Sequence, residues 1–158
     1  MILGSGSILD APTAALYIQL GSNFIVSPVL IEDISLVVNR RKILWSPGCG
    51  SVSEISKAES LGVEIVKIFP GTQVGGPNFV ASVKGSMPWT SIMPTGDVEP
   101  SETNLTEWFK AGVTCVGIGS HLISSEIIRT KDYVKLEQVA CNAINIIQKL
   151  RKLYPVKI

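Results

Sequence analysis

Short apolar segments alternate along the chain with segments of helical periodicity, without a linker or a low-complexity stretch between them. The segments predicted as strands are residues 24–28, 43–47, 65–70, 91–94 and 114–119, after a first apolar run at residues 1–3. Helices are predicted at about residues 11–20, 31–39, 51–62, 78–84 and 102–111, before a closing helix with apolar residues at 136, 139, 140, 143, 144, 147 and 150. Serial strand–helix units predict a parallel sheet, either doubly wound or closed into a barrel. Nearly every strand ends in Gly, Pro, Ser or Thr, and small polar groups gathered at one rim favour the barrel.

Lys67 lies within the apolar run Ile65-Val66-Lys67-Ile68-Phe69-Pro70, which is typical of a strand covered on both faces. An ammonium group buried there is costly unless it is paired, neutral or used covalently. Burial also lowers the pKa of a lysine and leaves a nucleophilic amine near neutral pH, as formation of a Schiff base requires. The run leaves a second interpretation open, in which the stem packs and the head group reaches water.

Composition excludes several classes of function. The 158 residues carry a net charge near +1, which argues against nucleic acid as a partner. No apolar run reaches the roughly 18–20 residues that cross a bilayer, and no leader pattern is present, so we expect a cytoplasmic protein with no membrane partner. Cys49, Cys115 and Cys141 are widely spaced, which predicts reduced thiols and neither a disulfide framework nor a metal site.

Six short motifs follow one another along the chain. They are Gly4-Ser5-Gly6-Ser7-Ile8-Leu9, Phe24-Ile25-Val26-Ser27-Pro28, Pro47-Gly48, Val66-Lys67-Ile68-Phe69-Pro70, Pro94-Thr95-Gly96 and Gly119-Ser120. In their order and spacing, these motifs resemble the KDPG/KHG aldolases of bacteria. These class I lyases cleave 2-keto-3-deoxy-6-phosphogluconate or 4-hydroxy-2-oxoglutarate to pyruvate and an aldehyde. The resemblance implies an α/β fold of the (β/α)8 barrel type, a homotrimer, a small keto acid as substrate, and an imine on lysine with no metal or other cofactor. It spans the chain, so residues 1–158 are expected to form one domain.

By the same resemblance, Lys67 attacks the keto carbon of the substrate. Ser7 stands where the family usually has a threonine that binds the pyruvyl carboxylate, Phe69 packs against the pyruvyl part, and Pro28 lines the same pocket. Each also has a structural alternative. Ser7 is a possible helix cap, Phe69 an ordinary core residue, and Pro28 a strand terminator.

The resemblance places Thr95 beside the imine and assigns a phosphate pocket to the backbone N–H groups of Gly96, Asp97, Gly119 and Ser120. Gly96 and Gly119 have a structural alternative as residues of tight turns. Asp97 stands where the family motif Thr-Gly-Gly has glycine, and its carboxylate would repel a dianionic phosphate. This difference favours an unphosphorylated keto acid or a loss of activity, unless the carboxylate points into solvent and only its N–H contributes.

The chain also lacks counterparts of the family's first two strand–helix units, which carry an acid/base glutamate and an arginine that binds the substrate carboxylate. About six of the eight units are therefore expected, as an incomplete barrel. Glu54 resembles a helix-cap residue, while Glu99 and Glu102 are expected in solvent. Because a positioned base contributes about 10²- to 10⁴-fold, the chain is expected to be a poor aldolase. The alternatives are an inactive barrel fragment or binding module, and a phosphate-binding isomerase barrel with a carboxylate base.

Overall fold

The computed structural model describes residues 2–155, which form seven helices and six strands and make this an α/β protein. The chain divides into two compact units, Met1–Phe69 and Pro70–Ile158, which are described separately. Met1, where the first predicted apolar run begins, and residues 156–158 lie outside the described residues. The expectation of one domain over residues 1–158 stays a prediction.

The first unit alternates parallel strands with helices. Its strands are β1 (Gly4–Ser5), β2 (Phe24–Val26), β3 (Leu44–Ser46), β4 (Gly48–Cys49) and β5 (Val66–Ile68), and its helices are α1 (Ala11–Gln19), α2 (Glu32–Arg41) and α3 (Val52–Ser60). β2 pairs in parallel with both β1 and β3, and β4 pairs in parallel with β5. The predicted parallel pairing is therefore confirmed in this unit. The strand predicted at residues 43–47 is confirmed as β3, which ends before Pro47, a residue with no N–H for the ladder. The short strand β4 that follows was not predicted.

Local side chains explain where two of these helices begin. Asp10 caps α1, and its carboxylate accepts a hydrogen bond from the Thr13 amide at 2.7 Å. Ser51 caps α3 by accepting from the Glu54 amide at 3.3 Å. The Glu54 carboxylate in turn accepts from the Gly50 amide at 2.8 Å. Glu54 is therefore the helix-cap residue that the sequence predicts.

Apolar side chains from both strands and helices form the core of the first unit. Ile25 of β2, Ile34 of α2, Ile55 of α3 and Ile68 of β5 are all fully buried. The indole of Trp45 is also buried, and it donates to the Ser27 hydroxyl at 2.8 Å. The buried indole N–H is therefore satisfied, and its hydrogen bond links β3 to the residue that follows β2.

The second unit is built mainly from helices. Its elements are α4 (Gly76–Ser86), β6 (Ile92–Pro94), α5 (Glu102–Ala111), α6 (Ser125–Thr130) and α7 (Tyr133–Leu153). α5 packs against both α4 and α7. It begins after the cap Ser101 and ends at Gly112, whose φ of 100° suits glycine. The predicted helix at residues 102–111 is confirmed at both ends.

The predicted strand at residues 114–119 is wrong. Only Gly117 pairs, as an isolated parallel bridge with Thr95. The amides of Thr114 and Cys115 both donate to the Ile92 carbonyl, at 2.9 and 3.4 Å, so the segment follows β6 without forming a regular ladder. The short helix α6 was not predicted.

The closing helix buries most of the face predicted for it. Ala143 and Leu150 are buried, and Leu136, Val139, Ala140 and Ile147 are partly buried. Ile144 differs, because 54% of its surface is exposed. The buried stripe is therefore narrower than the apolar pattern predicts.

Candidate active site

Lys67 is the middle residue of β5, and all three residues of that strand are buried. Only 5% of the lysine surface is exposed. In the β4–β5 register, Gly48 is opposite Lys67 and Cys49 is opposite Ile68. The expectation of a buried lysine on an apolar strand is confirmed. The small exposed fraction is compatible with the second interpretation as well, in which the tip of the head group reaches water.

The amine of Lys67 has no ion-pair partner among residues 2–155. The ion pairs there join Lys57 to Glu32, Lys135 to Glu126 and Lys149 to Glu102. Burial lowers the pKa of Lys67 below its ordinary value. The nearest recorded partner of the amine is the Phe69 ring, whose centroid lies 4.2 Å from Nζ. Such a ring attracts the charged form, but the net direction of the pKa shift is downward.

Gly48 lets the backbone beside Lys67 pack closely. A Cβ atom added at Gly48 would lie 2.1 Å from the carbonyl oxygen of Pro28, far inside van der Waals contact. The Gly48 amide also donates to the Ser27 carbonyl at 3.0 Å. Pro28 therefore packs on the residue that is opposite Lys67 in the ladder. Sequence reasoning treated Gly48 as part of a motif and did not anticipate this contact.

Two structural alternatives for the first unit do not hold. Ser7 does not cap α1, because Asp10 does so, and the Ser7 side chain is exposed with no hydrogen-bond partner in residues 2–155. Phe69 is half-buried and is not a full core residue, while its amide donates to the Cys49 carbonyl at 3.2 Å. Both side chains are therefore accessible for contact with a ligand.

In the second unit, Thr95 follows β6 directly and bridges to Gly117. Its hydroxyl is buried and has no hydrogen-bond partner within the described part of the chain. Native proteins rarely leave such a group unsatisfied, and doing so costs about 1–3 kcal/mol. The Thr95 carbonyl accepts from the Gly71 amide at 2.9 Å, which fixes the loop after β6 against residue 71.

Gly96 and Asp97 both have positive φ, at 97° and 56°. The turn requirement suggested for Gly96 is therefore real. The Asp97 carboxylate accepts a hydrogen bond from the Gln73 amide group at 2.7 Å. Nothing in the sequence pattern indicated Gln73, because the two residues are 24 positions apart.

Gly119 and Ser120 lie in an exposed segment after the Gly117 bridge. The Gly119 carbonyl accepts from the amides of Leu122 and Ile123, at 2.9 and 3.0 Å. A Cβ added at Gly119 would meet nothing within 4 Å, and its φ is not positive, so the suggested turn requirement does not apply. The amides of Gly119 and Ser120 donate to no group in residues 2–155 and are available to a ligand.

Between residues 2 and 155, no group of three or more His, Cys, Asp or Glu side chains is placed to hold a metal ion. No helix in that range is long and apolar enough to cross a membrane.

The model of the family "KDPG and KHG aldolase" matches residues 1–139. The 2-dehydro-3-deoxy-phosphogluconate aldolase of Pseudoalteromonas atlantica is 28% identical over 144 residues, which cover 90% of this chain and 66% of that protein. The KHG/KDPG aldolase of Escherichia coli K12 is 27% identical with the same coverage. The chain thus spans about two thirds of the length of the curated relatives it matches.

Solved structures are also similar. A native KDPGal structure superposes with a TM-score of 0.84 at 22% identity, covering 96% of this chain and 70% of that one. The KDPG aldolase of Legionella pneumophila, with pyruvate captured as a covalent carbinolamine, has a TM-score of 0.80 at 24% identity, covering 87% and 66%. At these identities the likeness establishes a shared α/β fold.

Proposed function

The chain belongs to the KDPG and KHG aldolase family, and on that premise we propose that it is a class I aldolase. It cleaves a 2-keto-4-hydroxy acid to pyruvate and an aldehyde through a Schiff base on Lys67. The observation that carries the proposal is the burial of Lys67 without a carboxylate partner among the described residues. A structural lysine in such a place needs a counter-charge, whereas a nucleophilic one needs a neutral amine.

The chemistry follows from the neutral amine. Its nitrogen adds to the keto carbon, and loss of water gives a protonated imine. The C3–C4 bond then breaks as the C4 hydroxyl loses its proton to solvent, and the electron pair of that bond moves into the imine to give an enamine. Protonation at C3 and hydrolysis release pyruvate and restore Lys67. Burial lowers the pKa of Lys67, which raises the fraction of neutral amine available for the first step.

Other residues of the first unit bind the pyruvyl part of the substrate in this proposal. Ser7 offers an exposed hydroxyl to the carboxylate, and the half-buried Phe69 ring packs against the apolar part. Pro28, which packs on Gly48, is proposed to line the pocket that receives the pyruvyl part. In the second unit, the unsatisfied Thr95 hydroxyl and the amides of Gly96, Asp97, Gly119 and Ser120 are proposed as substrate contacts.

A second candidate is a catalytically impaired or inactive barrel fragment, or a binding module. The hydrogen bonds of Glu54 favour this candidate. Its carboxylate accepts from the Gly50 amide at 2.8 Å and from the Ser51 hydroxyl at 3.0 Å. A carboxylate tied to a helix start is poorly available as a general base. In this alternative Lys67 still forms an imine with pyruvate, but turnover is slow or absent.

Steady-state release of pyruvate from racemic 4-hydroxy-2-oxoglutarate separates the two candidates. The variants are Lys67→Met, which removes the amine at similar length, and Lys149→Met, which removes an exposed lysine paired with Glu102. The aldolase proposal expects turnover that Lys67→Met abolishes and Lys149→Met retains. Absence of turnover in the unsubstituted chain supports the second candidate. Turnover that survives Lys67→Met contradicts the proposed mechanism.

We further propose a six-unit part of the (β/α)8 barrel, folded as one domain and assembled as a homotrimer in the cytoplasm, with no metal or other cofactor. The high TM-scores with aldolase structures support the barrel assignment. The free thiols of Cys49, Cys115 and Cys141 are consistent with a reducing compartment. Light scattering measures the assembly state, and a monomer at micromolar concentration contradicts the trimer. Two separate unfolding transitions would contradict the single domain.

A further inference from the structure

The loop after β6 carries a negative charge that no cation neutralises within residues 2–155. Asp97 is exposed, and its recorded partner is the Gln73 side-chain amide, at 2.7 Å. Within the described part of the second unit, the ion pairs Lys135–Glu126 and Lys149–Glu102 do not involve Asp97. Gln73 uses one amide hydrogen in this bond, so its other hydrogen and its carbonyl oxygen remain available. The pair presents both hydrogen-bond acceptors and a donor.

Backbone donors lie beside this pair. The amides of Gly96 and Asp97 donate to no group in the described residues. The positive φ values of these two residues form a turn in the loop, which the Gly71–Thr95 hydrogen bond of 2.9 Å holds in place. The loop therefore combines N–H donors with a carboxylate and an amide. A ligand that satisfies it must both accept and donate hydrogen bonds.

We propose that the Gln73–Asp97 pair selects an uncharged, hydroxylated end of the substrate. The inference rests on the proposed function, in which the loop after β6 binds the substrate. A hydroxyl group accepts from a backbone amide and donates to the Asp97 carboxylate, whereas phosphate dianions and carboxylates only accept and are repelled. The substrate class is therefore an unphosphorylated 2-keto-3-deoxy sugar acid, and the aldehyde product is a neutral polyhydroxy aldehyde.

Condensation of pyruvate with three aldehydes tests this selection. The aldehydes are D-glyceraldehyde, its 3-phosphate, and glyoxylate, and the measured quantity is kcat/KM for each. Repulsion by one exposed carboxylate in physiological salt predicts a preference for glyceraldehyde over its phosphate of about tenfold. Asp97→Asn keeps a residue that tolerates positive φ and removes the charge. It should therefore lower the ratio of kcat/KM for glyceraldehyde to kcat/KM for its 3-phosphate about tenfold.

The matched control is Glu99→Gln, because Glu99 is an exposed carboxylate two residues along the same loop. It removes the same charge without touching Gln73, so the ratio should change less than about twofold. A preference of the unsubstituted chain for the phosphorylated aldehyde overturns the proposal. Equal effects of Asp97→Asn and Glu99→Gln overturn it as well, since the cause would then be net charge alone.

A titration that does not depend on Lys67 separates this inference from the proposed function. Amide chemical shifts of Gly96 and Asp97 are followed with glycerol and with inorganic phosphate. Shifts with glycerol in the unsubstituted chain, and with phosphate only in Asp97→Asn, support the inference even where pyruvate forms no adduct with Lys67. Equal phosphate-induced shifts in both proteins overturn it, whatever the aldolase assays give.

Discussion

The Nζ atom of Lys67 lies 4.2 Å from the centroid of the Phe69 ring, two residues further along the same segment. Phe69 follows β5 directly, and its ring lies alongside the amine. The ring attracts the ammonium form, while burial disfavours it, and the pKa of Lys67 is lowered because burial dominates. An aromatic face thus takes the place of a carboxylate and leaves the amine able to lose its proton.

Replacing Phe69 by leucine should lower the pKa of Lys67 further. The substitution keeps an apolar side chain and removes the aromatic face, which contributes about 0.5–2 kcal/mol to a nearby ammonium group. The pH dependence of adduct formation with pyruvate and borohydride measures the change, and its midpoint should move to lower pH. A midpoint that moves upward contradicts the stabilising role of the ring.

Lys67→Met should stabilise the fold near neutral pH. A lysine with a lowered pKa in the folded state binds fewer protons there than in the unfolded chain. The unsubstituted protein therefore gains stability as the pH rises from the folded pKa towards about 10.4, where the unfolded lysine also becomes neutral. Urea unfolding across this range should find the advantage of Lys67→Met largest at neutral pH and smallest near pH 10. An advantage that grows with pH contradicts the direction of the pKa shift.

Gly48→Ala should destabilise the first unit, because the new Cβ would lie 2.1 Å from the Pro28 carbonyl oxygen. Overpacking of this kind costs about 1–3 kcal/mol of the free energy of unfolding. Gly85→Ala is the control, since Gly85 lies within α4 and a Cβ there meets nothing within 4 Å. That change should stabilise by about 0.5–1 kcal/mol, through helix propensity. Equal stability of both variants in urea would contradict the close approach at Gly48.

Asp10→Ala should lower the thermal midpoint of unfolding, whereas Ser7→Ala should leave it nearly unchanged. Asp10 caps α1 through the Thr13 amide, and this hydrogen bond lowers the pKa of its carboxyl. A carboxyl with a lowered folded pKa stabilises above its unfolded pKa, and the effect is lost as the pH falls through the folded value. The difference in thermal midpoint between Asp10→Ala and the unsubstituted chain should therefore vanish in acid. A larger effect for Ser7→Ala would restore Ser7 as the cap.

Local patterns predicted much of the fold. Helix α5 has the bounds that were predicted for it at residues 102–111, and the apolar run around Lys67 predicted β5. The segment at residues 114–119 is equally apolar, yet it pairs only at Gly117, because pairing depends on what lies beside a segment and not only on its composition. Helix α6 has only six residues, which is too short for a periodic signal.

A residue of the candidate site could be predicted where its type is rarely found in such a sequence context. A lysine inside an apolar strand is such a case, because the run predicted a strand covered on both faces, while the position of the lysine head group stayed open between two interpretations. The cap Asp10 was not predicted, because Ser and Asp both cap helices and the exact residue at which α1 begins is not visible in the sequence pattern. The Gln73–Asp97 bond joins two loops, so it depends on tertiary structure.

Localisation of a pyruvate adduct tests the central claim most directly. The protein is incubated with pyruvate, reduced with borohydride, digested and sequenced by mass spectrometry. The account predicts one reduced pyruvate per chain, carried by Lys67, with exposed lysines such as Lys149 unmodified under the same conditions. A protein that stays unmodified, or that is labelled on exposed lysines while Lys67 is free, would contradict it.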